Sequence, residues 1–239
     1  MTPPPTTTDL THWEQAWSNL DGTALIAAAH AALPGRLAVI ASFGTESAGL
    51  LDLVAQVDPG LPVIVLDTGE VFDETRDYIA TLSAHLGLTQ VIVAGPNAAE
   101  KAEAEELWQR DPDRCCSLRK VLPLARISAG YAALIDGRRR AHGFGREQAG
   151  TVSLRDGVLR LSPVAGWSDE DLAAAFTARG LPRHPLEAEG YRSIGCWPCT
   201  RPVAPGEPAR AGRWAGAAKT ECGLHVSSPT LAAPSARAK

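Results

Sequence analysis

The 239-residue chain has no apolar run long enough to cross a membrane as a helix. Its opening, Met-Thr-Pro-Pro-Pro-Thr-Thr-Thr, has neither the charged start nor the apolar core of a secretory leader, so a reducing cytoplasm is the expected compartment. Neither sign of charge dominates: 23 Lys and Arg against 27 Asp and Glu leave a formal net charge of -4. This argues against bulk nucleic-acid binding and leaves room for local arginine clusters that hold a small anion. There is no internal repeat and no Gly-Lys-Ser/Thr phosphate loop. What remains is a chain 45% hydrophobic, enough to bury one substantial core.

Residues 1–8, a proline and threonine arm, and residues 226–239 are expected to be disordered, leaving 9–225 as a single domain. Short apolar runs predict strands at 37–42, 61–66, 90–94 and 131–135. Leu50, Val54 and Val57 repeat at helical spacing after the first run, and Tyr78, Leu82 and His85 after the second. Strand and helix in alternation predict a doubly wound α/β fold, its mainly parallel sheet covered on both faces. Ligands of such sheets bind beyond the carboxyl ends of the strands, where Ser42-Phe43-Gly44-Thr45-Glu46-Ser47 and Asp67-Thr68-Gly69 fall. Each of these is either a phosphate-facing helix start or an ordinary turn. Ser168 and Asp171 predict a capping box ahead of Leu172, Ala175 and Phe176. From Arg179 onward, Pro, Gly and Arg predict loops.

Five cysteines fall in three places. Cys115 and Cys116 are adjacent, with alpha carbons about 3.8 Å apart, below the roughly 4.4 Å lower edge of disulfide geometry, so they need other partners. Cys196-Trp197-Pro198-Cys199 has the spacing of a metal knuckle, an iron-sulfur ligand pair or a redox disulfide. The two pairs together offer four thiolates. A vicinal pair is unusual for structural zinc and tilts the reading toward a 4Fe-4S cluster, with zinc left open. Cys222 is left over in a polar segment, with Lys219 and His225 as nearby positive charge to favour a nucleophilic thiolate. Arg146, in a glycine-flanked loop, suits bidentate contact with phosphate or sulfate. Arg138, Arg139 and Arg140 read as a solvated charged face, and Arg210 and Arg213 either escort an anion to Cys222 or face solvent.

In their order, over residues 40–225, these motifs resemble the assimilatory sulfonucleotide reductase family, specifically its iron-sulfur branch, the adenosine 5'-phosphosulfate (APS) reductases. Ser42 to Ser47 looks like the family's phosphate-binding loop, and Leu66-Asp67-Thr68-Gly69 with Phe72, Glu74 and Thr75 is similar to its LDTG-x-x-F-x-ET segment. Cys115-Cys116-Ser117-Leu118-Arg119-Lys120 through Pro123-Leu124 resembles CC-x-x-RK-x-x-PL. Ile194 to Pro202 is similar to the second cysteine segment, and Glu221-Cys222-Gly223-Leu224-His225 to the catalytic signature. One departure is visible: Gly145-Arg146-Glu147-Gln148 stands where the family often has two adjacent arginines.

The resemblance implies an adenine nucleotide alpha hydrolase-like fold with a loop-rich C-terminal segment, mobile over about 205–225. It implies a 4Fe-4S cluster on Cys115, Cys116, Cys196 and Cys199, and Cys222 as nucleophile. Ser42, Gly44, Thr45, Glu46, Asp67, Thr68 and Gly69 would meet the adenosine side, while Lys120, Arg146, Arg210, Arg213 and His225 would surround the phosphosulfate. The implied reaction is reduction of APS to sulfite and AMP through a Cys222 S-sulfo intermediate, in sulfate assimilation and cysteine biosynthesis. With four cysteines assigned to iron, the second thiol must come from thioredoxin or glutaredoxin. A homo-oligomer is compatible with this reading. Its rivals are reduction of the 3'-phosphorylated substrate, an ATP pyrophosphatase on the same fold, and an iron-sulfur redox sensor.

Overall fold

The computed structural model describes residues 5–143, 146–155, 157–215 and 219–224. Its first helix, α1 (Thr7–Ala16), begins inside the arm expected to be disordered. The Thr6 hydroxyl accepts from the Asp9 amide and the Asp9 carboxylate accepts from the Thr6 amide at 2.8 Å, a capping box that composition alone does not advertise. There follow α2 (Gly22–Ala32), β1 (Leu37–Ile40), α3 (Ser47–Val57), β2 (Val63–Leu66), α4 (Asp73–Leu86) and β3 (Val91–Ala94). Three short helices come next, α5 (Ala98–Glu103), α6 (Leu107–Arg110) and α7 (Pro112–Cys116). A widened π turn, Ser117–Val121, joins α7 to α8 (Leu122–Ser128), after which the chain forms β4 (Ala133–Asp136), β5 (Val152–Arg155), β6 (Val158–Leu161) and α9 (Asp169–Arg179). As the Ser168–Asp171 pattern predicts, α9 starts in a capping box.

The strands form one sheet in the order β3-β2-β1-β4-β6-β5, parallel except for the β5–β6 hairpin. Period-two alternation divides the sheet's side chains between two apolar clusters. Leu37 and Val39 of β1, Val63 and Val65 of β2, and Ala133 and Ile135 of β4 join the larger cluster with Leu25, Leu51, Tyr78 and Leu82 from α2, α3 and α4. Ala38, Ile64 and Leu134 point the other way and meet Leu124 of α8. Burial on both faces explains why β1, β2 and β4 read as unbroken apolar runs. The hairpin was not anticipated; its signal is the Asp156-Gly157 dipeptide between two alternating segments, with Gly157 at φ +74°.

From β1 the chain winds outward through β2 and β3, then crosses back to place β4 on the other side of β1. The reversal opens a crevice between the loops that follow β1 and β4, the expected ligand position in such sheets. Beyond α9 the described chain is loops with two 3-10 turns, Pro185–Glu189 and Trp197–Cys199.

Candidate active site

A cavity of about 490 Å³ occupies this crevice. Three loops floor it. After β1, Phe43 is fully buried at φ +49°, a left-handed conformation that costs a side-chain-bearing residue about 1–3 kcal/mol and turns the backbone of Gly44 and Thr45 toward the cavity. After β2, the Asp67 carboxylate accepts from the Gly69 amide at 2.8 Å, closing a turn that Gly69 completes at φ +80°. After β4, Arg138, Arg139 and His142 face the cavity.

Ser42, Gly44, Thr45, Glu46, Asp67 and Thr68 all line this space, and so do Lys120, Arg146, Arg210, Arg213 and Cys222. Gly69 does not: it shapes the turn and lies beneath Arg119, whose guanidinium would stand 3.2 Å from a Cβ there. His225 lies outside the described residues. Glu46 is already occupied, paired with Arg139 at 2.8 Å and with His142 at 2.5 Å. Burial alone would raise its carboxyl, but His142 and Arg139 outweigh that and hold it at about 2.

The run Arg138-Arg139-Arg140 is not the solvated face expected. Arg138 and Arg139 are buried, and Arg140 alone is exposed. Arg138 pairs with Asp136 at 3.1 Å, and Arg139 bridges Glu46 and Asp169, both at 2.8 Å. Asp136 is a near neighbour in sequence, but Glu46 and Asp169 come from distant segments, information that a local charge count does not contain. The cavity wall therefore carries Arg138 and Arg139 besides Arg146, their guanidiniums already paired.

The cations near Cys222 carry unmet hydrogen-bonding capacity. Arg210 donates to the Thr220 carbonyl at 2.9 Å and Arg213 to the Ile194 carbonyl at 3.1 Å, yet the buried Nε of each has no partner. Burial, with Arg146 and Arg213 close by, pulls Arg210 below the usual arginine range. Lys120 is buried, which by itself would lower its pKa, but Cys196, Cys222 and Cys116 around it raise it above the usual lysine range. Crowded buried cations with free donors are suited to an anion. Arg146 behaves differently. Its fork is bidentate to Glu221 at 2.7 and 2.9 Å. Lys219, expected beside Cys222, instead pairs with Asp113.

A second, smaller cavity adjoins the first, lined by Cys115, Cys116, Cys196 and Cys199. The distant cysteine pairs meet because the loop after β2 is stitched to the Cys-x-x-Cys turn: Val71 bridges Cys196, the Trp197 amide donates to Glu70 O at 2.8 Å, and Thr68 Oγ1 lies 3.3 Å from Cys196 Sγ. All five cysteines are free thiols. Burial pushes Cys115 and Cys199 up and Cys116 to about 11. Cys196 is half-buried; desolvation pushes it the same way, but Lys120, the Thr68 hydroxyl and Arg213 overcome that and lower it. Among the described residues no group of three or more His, Cys, Asp or Glu is arranged to hold a single metal ion.

Residues 36–202 match the family described as phosphoadenosine phosphosulfate reductase domain. The chain belongs to this family. It is 45% identical over 195 residues, 80% of each chain, to an adenosine 5'-phosphosulfate reductase of Chelativorans sp. (strain BNC1). To a protein of the same name from Mesorhizobium japonicum it is 46% identical, over 80% of this chain and 76% of the relative. A phosphoadenosine 5'-phosphosulfate reductase of Gloeobacter violaceus shares 40% over 92% of this chain and 94% of its own. The fold is that of a crystal structure of phosphoadenylyl-sulfate reductase from Candida auris, with a TM-score of 0.70, 22% identity, and coverage of 84% of this chain and 100% of that one. A flavin-nucleotide enzyme, the FMN adenylyltransferase of Candida glabrata, shares the architecture at a TM-score of 0.56 and 17% identity, over 86% of this chain and 73% of its own. Among the described residues no helix is long and apolar enough to cross a membrane.

Proposed function

We propose that the protein reduces adenosine 5'-phosphosulfate to sulfite and AMP in sulfate assimilation. The observation that carries this reading is the meeting of one thiol, Cys222, with Lys120, Arg210 and Arg213 in a cavity at the sheet's switch point. The names of the relatives support the substrate. The adenosine would lie against the loops after β1 and β2, and the adjacent phosphate and sulfate charges against the three cations. Neutralising those charges lets an anionic thiolate approach. The Cys222 thiolate attacks the sulfate sulfur, the bond from that sulfur to the bridging oxygen breaks, and AMP leaves with the electron pair. Cys222 then carries an S-sulfo group. A dithiol of the thioredoxin or glutaredoxin class attacks Cys222 Sγ, releasing sulfite and forming a mixed disulfide that its second thiol resolves. Two electrons pass from dithiol to sulfate sulfur, as the balance requires. For the adduct to meet that partner, the segment at about 205–225 must leave the cavity after the first step.

The four-thiol cavity fits a 4Fe-4S cluster. It offers four thiols, one per iron, lining one small cavity, and the buried cations Lys120 and Arg119 line it too, the Nε of Arg119 without a partner. Cys115, Cys116, Cys196 and Cys199 would hold the cluster, which when bound would supply a fixed charge and a rigid junction beside the sulfate. Free thiols throughout suit a reducing cytoplasm.

The Gloeobacter relative's name supports a second reading, with the 3'-phosphorylated nucleotide as substrate. One experiment separates them. Intact mass is recorded after anaerobic protein is mixed with each nucleotide alone, without thiol reductant. A gain of one sulfite group with the unphosphorylated nucleotide only, mapped to Cys222, supports the first reading; a gain with the 3'-phosphorylated one supports the second; no gain with either sinks both.

A further inference from the structure

Glu221 immediately precedes the nucleophile, and its carboxylate is held by both Nε and Nη2 of Arg146, with Arg210 a further 3.7 Å contact. Arg146 is in turn oriented from behind. His142 Nδ1 lies 3.0 Å from Arg146 Nη1 and accepts from the Arg139 amide at 3.3 Å, while His142 Nε2 meets Glu46 at 2.5 Å. Arginine can only donate, so Nδ1 is the acceptor and the proton is on Nε2, directed at Glu46. Glu46 opens α3, so a continuous polar chain runs from the first helix of the crevice to the residue beside Cys222. The side chains of Arg146 and Glu221 are 12% and 21% exposed, sheltered enough for a bidentate pair to count.

From this geometry, and resting on the reductase reading above, we infer that Glu221 is a positioning residue: with Arg146 it forms a clasp that seats Cys222 over the anion cavity. The clasp changes the work assigned to Arg146. A fork filled by Glu221 is not available for bidentate contact with substrate, and the donors left for the phosphosulfate are those of Lys120, Arg210 and Arg213. Leu224 gives the clasp its second anchor by packing on the apolar cluster behind the sheet. Glu221 and Leu224 thus hold the tail on either side of the thiol. Releasing the ion pair frees one side and lets Cys222 reach an external dithiol.

The test compares wild type, Glu221→Gln, Glu221→Asp and, as a control, Glu187→Gln, which removes a carboxylate paired with Arg183 outside the cavity and the moving segment. Three quantities are read: Cys222 S-sulfonation in a single turnover with APS, the Kd for AMP, and alkylation of Cys222 by iodoacetamide in the resting protein. For Glu221→Gln the expected result is sulfonation slower by about tenfold or more with an unchanged AMP Kd. Alkylation becomes faster in the same variant, because an unclasped thiol spends more time exposed. Glu221→Asp recovers part of the sulfonation rate and Glu187→Gln matches wild type. A general loss of structure would weaken AMP binding together with the rate. If Glu221→Gln sulfonates as fast as wild type, or faster with tighter AMP binding, Glu221 is not a clasp and merely competes with substrate for the arginines. A wild-type protein that forms no adduct overturns the reductase reading instead, a failure that needs no variant to see.

Discussion

Lys120 and Cys196 share the wall between the two cavities, each facing both spaces, and the ammonium favours the thiolate form of that sulfur. One ammonium therefore serves the four-thiol chamber and the anion cavity together. Its position follows from the π turn, which carries Lys120 while Cys115 and Cys116 end the preceding helix.

Replacing that charge while keeping the stem, Lys120→Met, should slow Cys222 S-sulfonation by about 10²–10³-fold, the usual cost of removing a donor aimed at developing charge. Iron and sulfide per chain measured on the same preparation should stay near wild type, because the four thiols remain. Loss of iron in step with loss of rate would show that Lys120 serves the chamber alone.

Serine at Cys115, Cys116, Cys196 or Cys199 should reduce iron per chain and lower the melting temperature, whereas Cys222→Ser should change neither and abolish the sulfo adduct. Metal analysis with differential scanning calorimetry on all five variants checks the division of labour. An adduct that survives in Cys222→Ser would move the nucleophile elsewhere.

Gly195→Ala should weaken anion binding with little effect on folding. A Cβ there would strike the guanidinium of Arg213, whose Nη1 otherwise donates to the carbonyl of Ile194. Titration with AMP should show a Kd raised by about tenfold, in keeping with the loss of one charged hydrogen bond. The melting temperature should stay within a few degrees of wild type.

Acid should destabilise the protein in two stages. His184 is buried against Thr75 and held at about 4, burial lowering it more than Glu74 raises it. Its folded value lies below the unfolded one of about 6.5, so the stability tied to neutral His184 is complete above that pH and lost as pH falls toward 4. Glu46, held at about 2, behaves as a depressed carboxylate: its contribution is present above about 4.5 and lost as pH falls toward 2. Urea unfolding from pH 7 to pH 3 should show both declines, and Glu46→Gln should flatten the lower one alone.

The sheet was legible where strands are buried on both faces, because Leu37 to Ile40 or Val63 to Leu66 can form no other kind of element once turn residues bound them. The grouping of the five cysteines was legible from their spacing, and Lys120 only through the family resemblance; the structure brings all six residues to the two adjoining cavities. Buried Arg138 and Arg139 were not: Asp136 stands two residues from Arg138, but Ser162, Glu46 and Asp169 are brought near only by the fold. The Arg146–Glu221 pair spans 75 residues and was hidden for the same reason.

The π turn has a cause in the sequence and a consequence for the spacing of the chain. Pro123 sits in an otherwise continuous helical run, where it lacks an amide proton for the carbonyl of Arg119 and its ring crowds that oxygen. The backbone widens instead, and the Leu122 amide reaches back five residues to the Ser117 carbonyl. The widening takes up one residue, so the side chains beyond Pro123 keep the phase, relative to the cysteines, of an ordinary helix one residue shorter. A one-residue deletion between Cys116 and Pro123 should therefore be borne more easily than a one-residue insertion, which would turn everything beyond it by about 100°.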